Sequence, residues 1–63
     1  MYRWTYELFR KEVKKNLQLM KAEFFIDVTG TTKENALEVV KWAKKDKLKA
    51  ELKGNYVVIR VLW

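Results

Sequence analysis

The sequence contains no Cys, no His, no Pro and no Ser, and its 63 residues include only two glycines, Gly30 and Gly54. Without Cys there is neither a disulfide framework nor a thiolate metal site, and nothing marks an oxidising compartment. Without His the usual proton carrier at neutral pH is missing, and the common nucleophiles Ser and Cys are missing with it. Two isolated glycines cannot build a phosphate loop or a dinucleotide fingerprint, and no dense acidic loop offers a site to a hard cation. Glu7, Glu23 and Asp27 lie near Arg3 and Lys21 and read as surface ion pairs rather than as an acid–base pair in a cleft. No apolar run approaches the roughly 18–20 residues of a membrane span, and the N-terminus lacks the apolar core of a signal peptide. These absences lead to the expectation of a cytoplasmic, unprocessed chain that is not an enzyme and takes no cofactor, metal or small-molecule substrate.

What is present is apolar and basic. A chain of 63 residues has room for one domain, spanning residues 1–63. At this length only about 60% of the unfolded chain's surface is buried on folding. An apolar fraction of 49%, with three Trp, three Tyr and three Phe, compensates for the small size. Fourteen Lys and Arg against eight Asp and Glu leave a formal charge of +6. That balance suits nucleic acid, an anionic membrane or an acidic protein surface, and it also serves solubility.

The pattern predicts a helix from Thr31 to Lys45, with Thr31 as N-cap, Glu34 completing a capping box, and Lys41, Lys44 and Lys45 where the helix dipole favours cations. Two alternating runs follow around Gly54-Asn55, a two-residue hairpin signal that pairs Lys53 with Tyr56, Leu52 with Val57, Ala50 with Ile59 and Leu48 with Val61. The first thirty residues carry two readings. Tyr2, Tyr6, Phe9, Val13, Leu17, Met20 and Phe24 recur at helical spacing. A long hairpin turning at Lys14-Lys15-Asn16 instead pairs Leu8 with Ala22, Tyr6 with Phe24, Trp4 with Ile26 and Tyr2 with Val28 on one face. The cross-strand agreement favours the hairpin. The expected fold is therefore α+β in the order ββαββ, one helix on a four-stranded sheet with the last strand central and parallel to the first. The alternative is αβαββ with an N-terminal helix.

The hairpin–helix–hairpin order, with Ala22-Glu23-Phe24, Lys44-Lys45-Asp46 and Gly54 before a final apolar strand, resembles the β-grasp immunoglobulin-binding domains of bacterial proteins G and L. The segment Thr29-Gly30-Thr31-Thr32 followed by Glu34-Asn35-Ala36-Leu37-Glu38 also looks like small phage-encoded proteins that dock on host machinery. The strongly basic charge departs from the first family, so antibody binding is not carried over. The lack of Pro, Cys and His, the capping box and the tight turn are also features of an idealised designed miniprotein.

Two surfaces are candidates for binding. The open sheet face is expected to show Phe25, Lys47, Lys49, Tyr56 and Arg60, with Val58 and Leu62 alongside, an arrangement that stacks bases and tracks phosphates or forms a homodimer contact. The N-terminal segment adds Arg10, Lys11, Lys14, Lys15 and Lys21, an arm in the hairpin reading and a solvated face in the helical one. The expected function is a small basic binding module that docks on nucleic acid or on an acidic protein surface. A scaffold without a natural ligand is the alternative.

Overall fold

The computed structural model describes residues 3–61. Its elements are α1 (Tyr6–Gln18), β1 (Glu23–Asp27), α2 (Lys33–Lys45), β2 (Lys49–Lys53) and β3 (Tyr56–Arg60). The sheet has three strands in the order β1-β3-β2, with β3 antiparallel to both neighbours. The two edge strands are thus parallel to one another and joined through α2, with β3 returning between them as a split β-α-β unit.

This order corrects the expected ββαββ fold. There is no N-terminal hairpin, no fourth strand among the described residues, and hence no β-grasp arrangement; the last strand is central but antiparallel to the first. The reason lies in the side chains that the hairpin would strand outside. Pairing Leu8 with Ala22 leaves Phe9, Val13 and Leu17 on the surface, whereas the helix seals Phe9 and Val13 completely and half-buries Leu17. Burying each such side chain contributes about 1.5–3 kcal/mol. Thr5 starts the helix by accepting a hydrogen bond from the Leu8 N–H. Tyr2 and Leu62, which the sequence placed on a strand pair and on the open face, lie outside the described residues.

Both helices pack on one side of the sheet. Phe9 and Val13 of α1, Ala36, Val39 and Ala43 of α2, and Phe24, Ile26, Val28, Val57 and Ile59 from the strand layer form one core. The C-terminal hairpin has the expected register at Lys53–Tyr56, Leu52–Val57 and Ala50–Ile59, while Leu48 and Val61 flank the strands. Gly54 has φ +60 and Asn55 does not share the positive φ, the signature of a type II′ turn. Trp42 stands edge-on to Tyr6 at 5.9 Å and 6.0 Å from Phe9, filling the seam between the helices.

The start of α2 lies one residue later than expected. Thr32 is the N-cap and accepts from the Asn35 N–H, which leaves the Thr31 hydroxyl to donate to Asn35 Oδ1 at 2.6 Å. Asn35 is 1% exposed. Its Oδ1 accepts from the Trp4 N–H at 2.6 Å, and its Nδ2 donates to the Trp4 carbonyl at 3.0 Å and to Glu38 at 3.2 Å. One amide thereby clamps both backbone groups of the residue that leads into α1. Replacing Asn35 with Ala removes the clamp in a buried site, where each unmade bond costs about 1–3 kcal/mol. We expect Asn35→Ala to lower the stability by about 2–3 kcal/mol in urea denaturation; a loss below about 1 kcal/mol would contradict the clamp.

Candidate functional site

Short connections determine which charged residues meet. Three-residue and four-residue links join the end of α2 to β2 and the end of α1 to β1. The register then aligns Glu23, Arg60 and Lys49 across the sheet. Both helix C-termini and this row therefore share one end of the molecule. At the opposite end are the row Asp27–Tyr56–Lys53, the Gly54-Asn55 turn and the N-terminus of α2.

The charge is sorted along the same axis. The first end carries Lys14, Lys15, Lys21, Lys44, Lys45, Lys47, Lys49 and Arg60 against only Glu23 and Asp46. The opposite end balances Arg3, Lys33 and Lys53 with Glu7, Asp27 and Glu34, and the middle balances Arg10, Lys11 and Lys41 with Glu12, Glu38 and Glu51. The formal excess of +6 is thus concentrated toward one end. Even the two carboxylates there are occupied. Glu23 binds Arg60 at 2.9 Å, while Asp46 binds Arg10 at 3.0 Å and accepts from the Tyr6 hydroxyl. None of the seven lysines at this end is ion-paired among the described residues, and all are exposed. The helix macrodipole favours cations in the last turns, so Lys15, Lys44 and Lys45 are favourable to folding as well. Beside them a shallow concavity of about 460 Å³ is lined by Lys44, Lys49, Lys53 and Arg60, with Glu23 and Glu51 on its wall.

Both helices end at this site in the same strained way. Lys21 N–H reaches back to the Asn16 carbonyl and Met20 N–H to that of Leu17; Leu48 N–H reaches the Ala43 carbonyl and Lys47 N–H that of Lys44. These are two Schellman motifs, whose left-handed position is usually glycine. Here that position holds Met20, φ +60, and Lys47, φ +63, the only non-glycine residues with positive φ among those described. Met20 is 82% exposed and its neighbour Leu19 is 58% exposed.

The open sheet face differs in character. Glu23, Asp27 and Glu51 there offset Lys49, Lys53 and Arg60, around an apolar centre of Phe25, Val58 and Tyr56. Phe25 and Tyr56 meet edge to face with centroids 6.5 Å apart, and both are exposed. The bonds Val28 N–H to Asn55 and Val61 N–H to Ala22 fix the alternation of the β1–β3 ladder, so Glu23, Phe25 and Asp27 direct their backbone groups to the outer edge. Antiparallel self-pairing about Phe25 would oppose Glu23 to Asp27 of the second copy, a like-charge contact that disfavours such a dimer. The N-terminal threonines of α2 are engaged in capping and in holding Asn35. Among the described residues no three His, Cys, Asp or Glu converge as a metal site requires, and no helix is long and apolar enough to cross a membrane.

The residues singled out from the sequence thus divide into groups. Lys14, Lys15, Lys47, Lys49 and Arg60 come together at the basic end; Arg10 and Lys11 lie further up α1, which is a helix and not the arm of a hairpin. Phe25 and Tyr56 share the open face with Lys49 and Arg60, while Lys47 belongs to the exit of α2. Lys44, Lys45 and Met20 are not among the site residues that the sequence suggests. The first two carry a signal, as cations at a helix end close to a strand start, but Met20 carries none where residues 2–21 are read as part of a hairpin. Comparison with family models, curated proteins and solved structures gave no match.

Two outcomes follow from this geometry. A left-handed L-residue costs about 1–2 kcal/mol, and introducing glycine returns about 0.4–1 kcal/mol of entropy to the unfolded chain. Met20→Gly and Lys47→Gly should therefore each stabilise the fold by about 0.5–1 kcal/mol, seen as a melting midpoint raised by a few degrees; a lowered midpoint would show that the side chains pack. The second outcome concerns Asp27, whose carboxyl is held below its ordinary value by hydrogen bonds from the Thr29 side chain and backbone, the latter at 2.8 Å. Its contribution to stability is fully present above the unfolded value of about 3.9 and is lost as pH falls through the lower folded value. Asp27→Asn should flatten that acid limb of stability against pH, and an unchanged limb would remove Asp27 as its source.

Proposed function

We propose that the chain is a small non-catalytic binding module that docks on nucleic acid through the end of the fold where both helices terminate. The observation that supports this is the charge sorting: seven exposed lysines, none ion-paired among the described residues, lie toward one end. A polyanion gains most from such a surface, because each phosphate neutralised releases condensed counterions and the affinity falls with salt at a slope of about −0.9 per contact on duplex DNA. Clustered, unpaired lysines fit this role better than a scattered surface charge of equal size does.

A second reading rests on a different surface. Phe25 and Tyr56 are exposed together on a charge-balanced face, which suits an amphipathic protein partner more than a polyanion. Partner loss on Phe25→Ala, with nucleic-acid affinity unchanged, is the result that would favour it.

The nucleic-acid reading is tested by fluorescence anisotropy with labelled duplex DNA across a salt series. Lys44→Ala with Lys47→Ala should make the slope shallower by about 2, and Lys33→Ala with Lys41→Ala, away from that end, should leave it unchanged. Equal effects of the two pairs would contradict a directed site. No binding by the unaltered chain at physiological salt would leave a scaffold without a polyanionic ligand.

A further inference from the structure

We infer that Leu19 and Met20 form an apolar wedge that enters duplex DNA between base steps while the lysines around it hold the flanking phosphates; this rests on the nucleic-acid reading above. Three observations converge on the pair. They are the first exposed apolar residues after α1, 58% and 82% exposed, in a connection that carries Lys14 and Lys15 before it and Lys21 after it. Met20 keeps a side chain at a left-handed position where glycine is the unstrained choice, and the one other described residue to do so, Lys47, stands at the same basic end. Sparsely populated backbone conformations persist where the side chain they carry is used.

The shape selects the occupant. A projecting Leu-Met pair ringed by cations matches a surface that is anionic outside and apolar within, and architectural proteins insert such side chains, Leu and Met included, between base steps to kink the duplex. A lipid bilayer has the same polarity, but docking on it draws on a broad apolar helix face lying in the interface. That face of α1 is turned inward, with Phe9 and Val13 sealed in the core. What remains outside is a narrow tip, which fits a groove.

The test uses Met20→Gly, which changes no charge, relieves the strained position and leaves the lysines in place. The unaltered protein should shorten the end-to-end distance of a duplex labelled with a fluorescence-transfer pair. Met20→Gly should abolish that shortening and weaken binding by about tenfold, with an unchanged salt slope because no phosphate contact is lost. Unchanged affinity and bending in a more stable variant would overturn the wedge, while the nucleic-acid reading would stand if the Lys44/Lys47 pair still lowers the slope. A slope that no lysine pair alters would instead sink the reading beneath it. Vesicles of phosphatidylcholine with phosphatidylserine form the last arm. Vesicle binding that Met20→Gly removes, beside duplex binding that it leaves intact, would assign the wedge to lipid and overturn the proposal.

Discussion

The amide of Asn35 governs where the rest of the chain can lie. By bonding both backbone groups of Trp4 it anchors the segment ahead of α1 to the first turn of α2, 31 residues away in the sequence. With that point fixed, Thr5 begins α1 beside α2, Tyr6 and Phe9 reach Trp42, and Arg10 reaches Asp46 at the far end of α2. These contacts set the first half of α1 against the last turns of α2. A buried polar side chain of this kind specifies one arrangement of helices where apolar packing alone would accept several.

The basic end is a consequence of that arrangement. Helix C-termini attract lysines for reasons of their own, since the macrodipole is worth about 0.3–1 kcal/mol for a cation in the last turn. The short links place both helix C-termini near the starts of β1 and β2, where Lys49 and, from the end of β3, Arg60 join the group. The fold gains little from so many unpaired cations in one place, and it also carries two left-handed residues there that glycine would relieve. Strain and like-charge repulsion thus coincide at the same end of a small domain, in keeping with the binding surface proposed there.

The second half of the chain was legible because its signals were local. A Gly-Asn turn between alternating runs fixed the register, and the helix before it displayed cap, stripe and terminal cations within fifteen residues. The first half was misread for a physical reason. Phe9, Val13 and Leu17 lie on a helical stripe, and Trp4, Tyr6 and Leu8 on a strand-like alternation, so the two periods overlap in one apolar segment. What decides between them is the core that α2 and the sheet leave unfilled, a tertiary quantity. The cost of the misreading fell on the site. A hairpin divides the lysines between an arm and a sheet face, whereas the helix gathers Lys14, Lys15 and Lys21 with Lys44, Lys45 and Lys47 at one end.

In the proposed reading nucleic acid meets this chain at one end and nowhere else. It is tested most directly by following backbone amide shifts as unlabelled duplex DNA is added at physiological salt. Shift changes concentrated at residues 14–21 and 44–49, with the Gly54-Asn55 turn and the start of α2 unmoved, are the predicted result. Changes spread evenly over the surface, or centred on Phe25 and Tyr56, would contradict it.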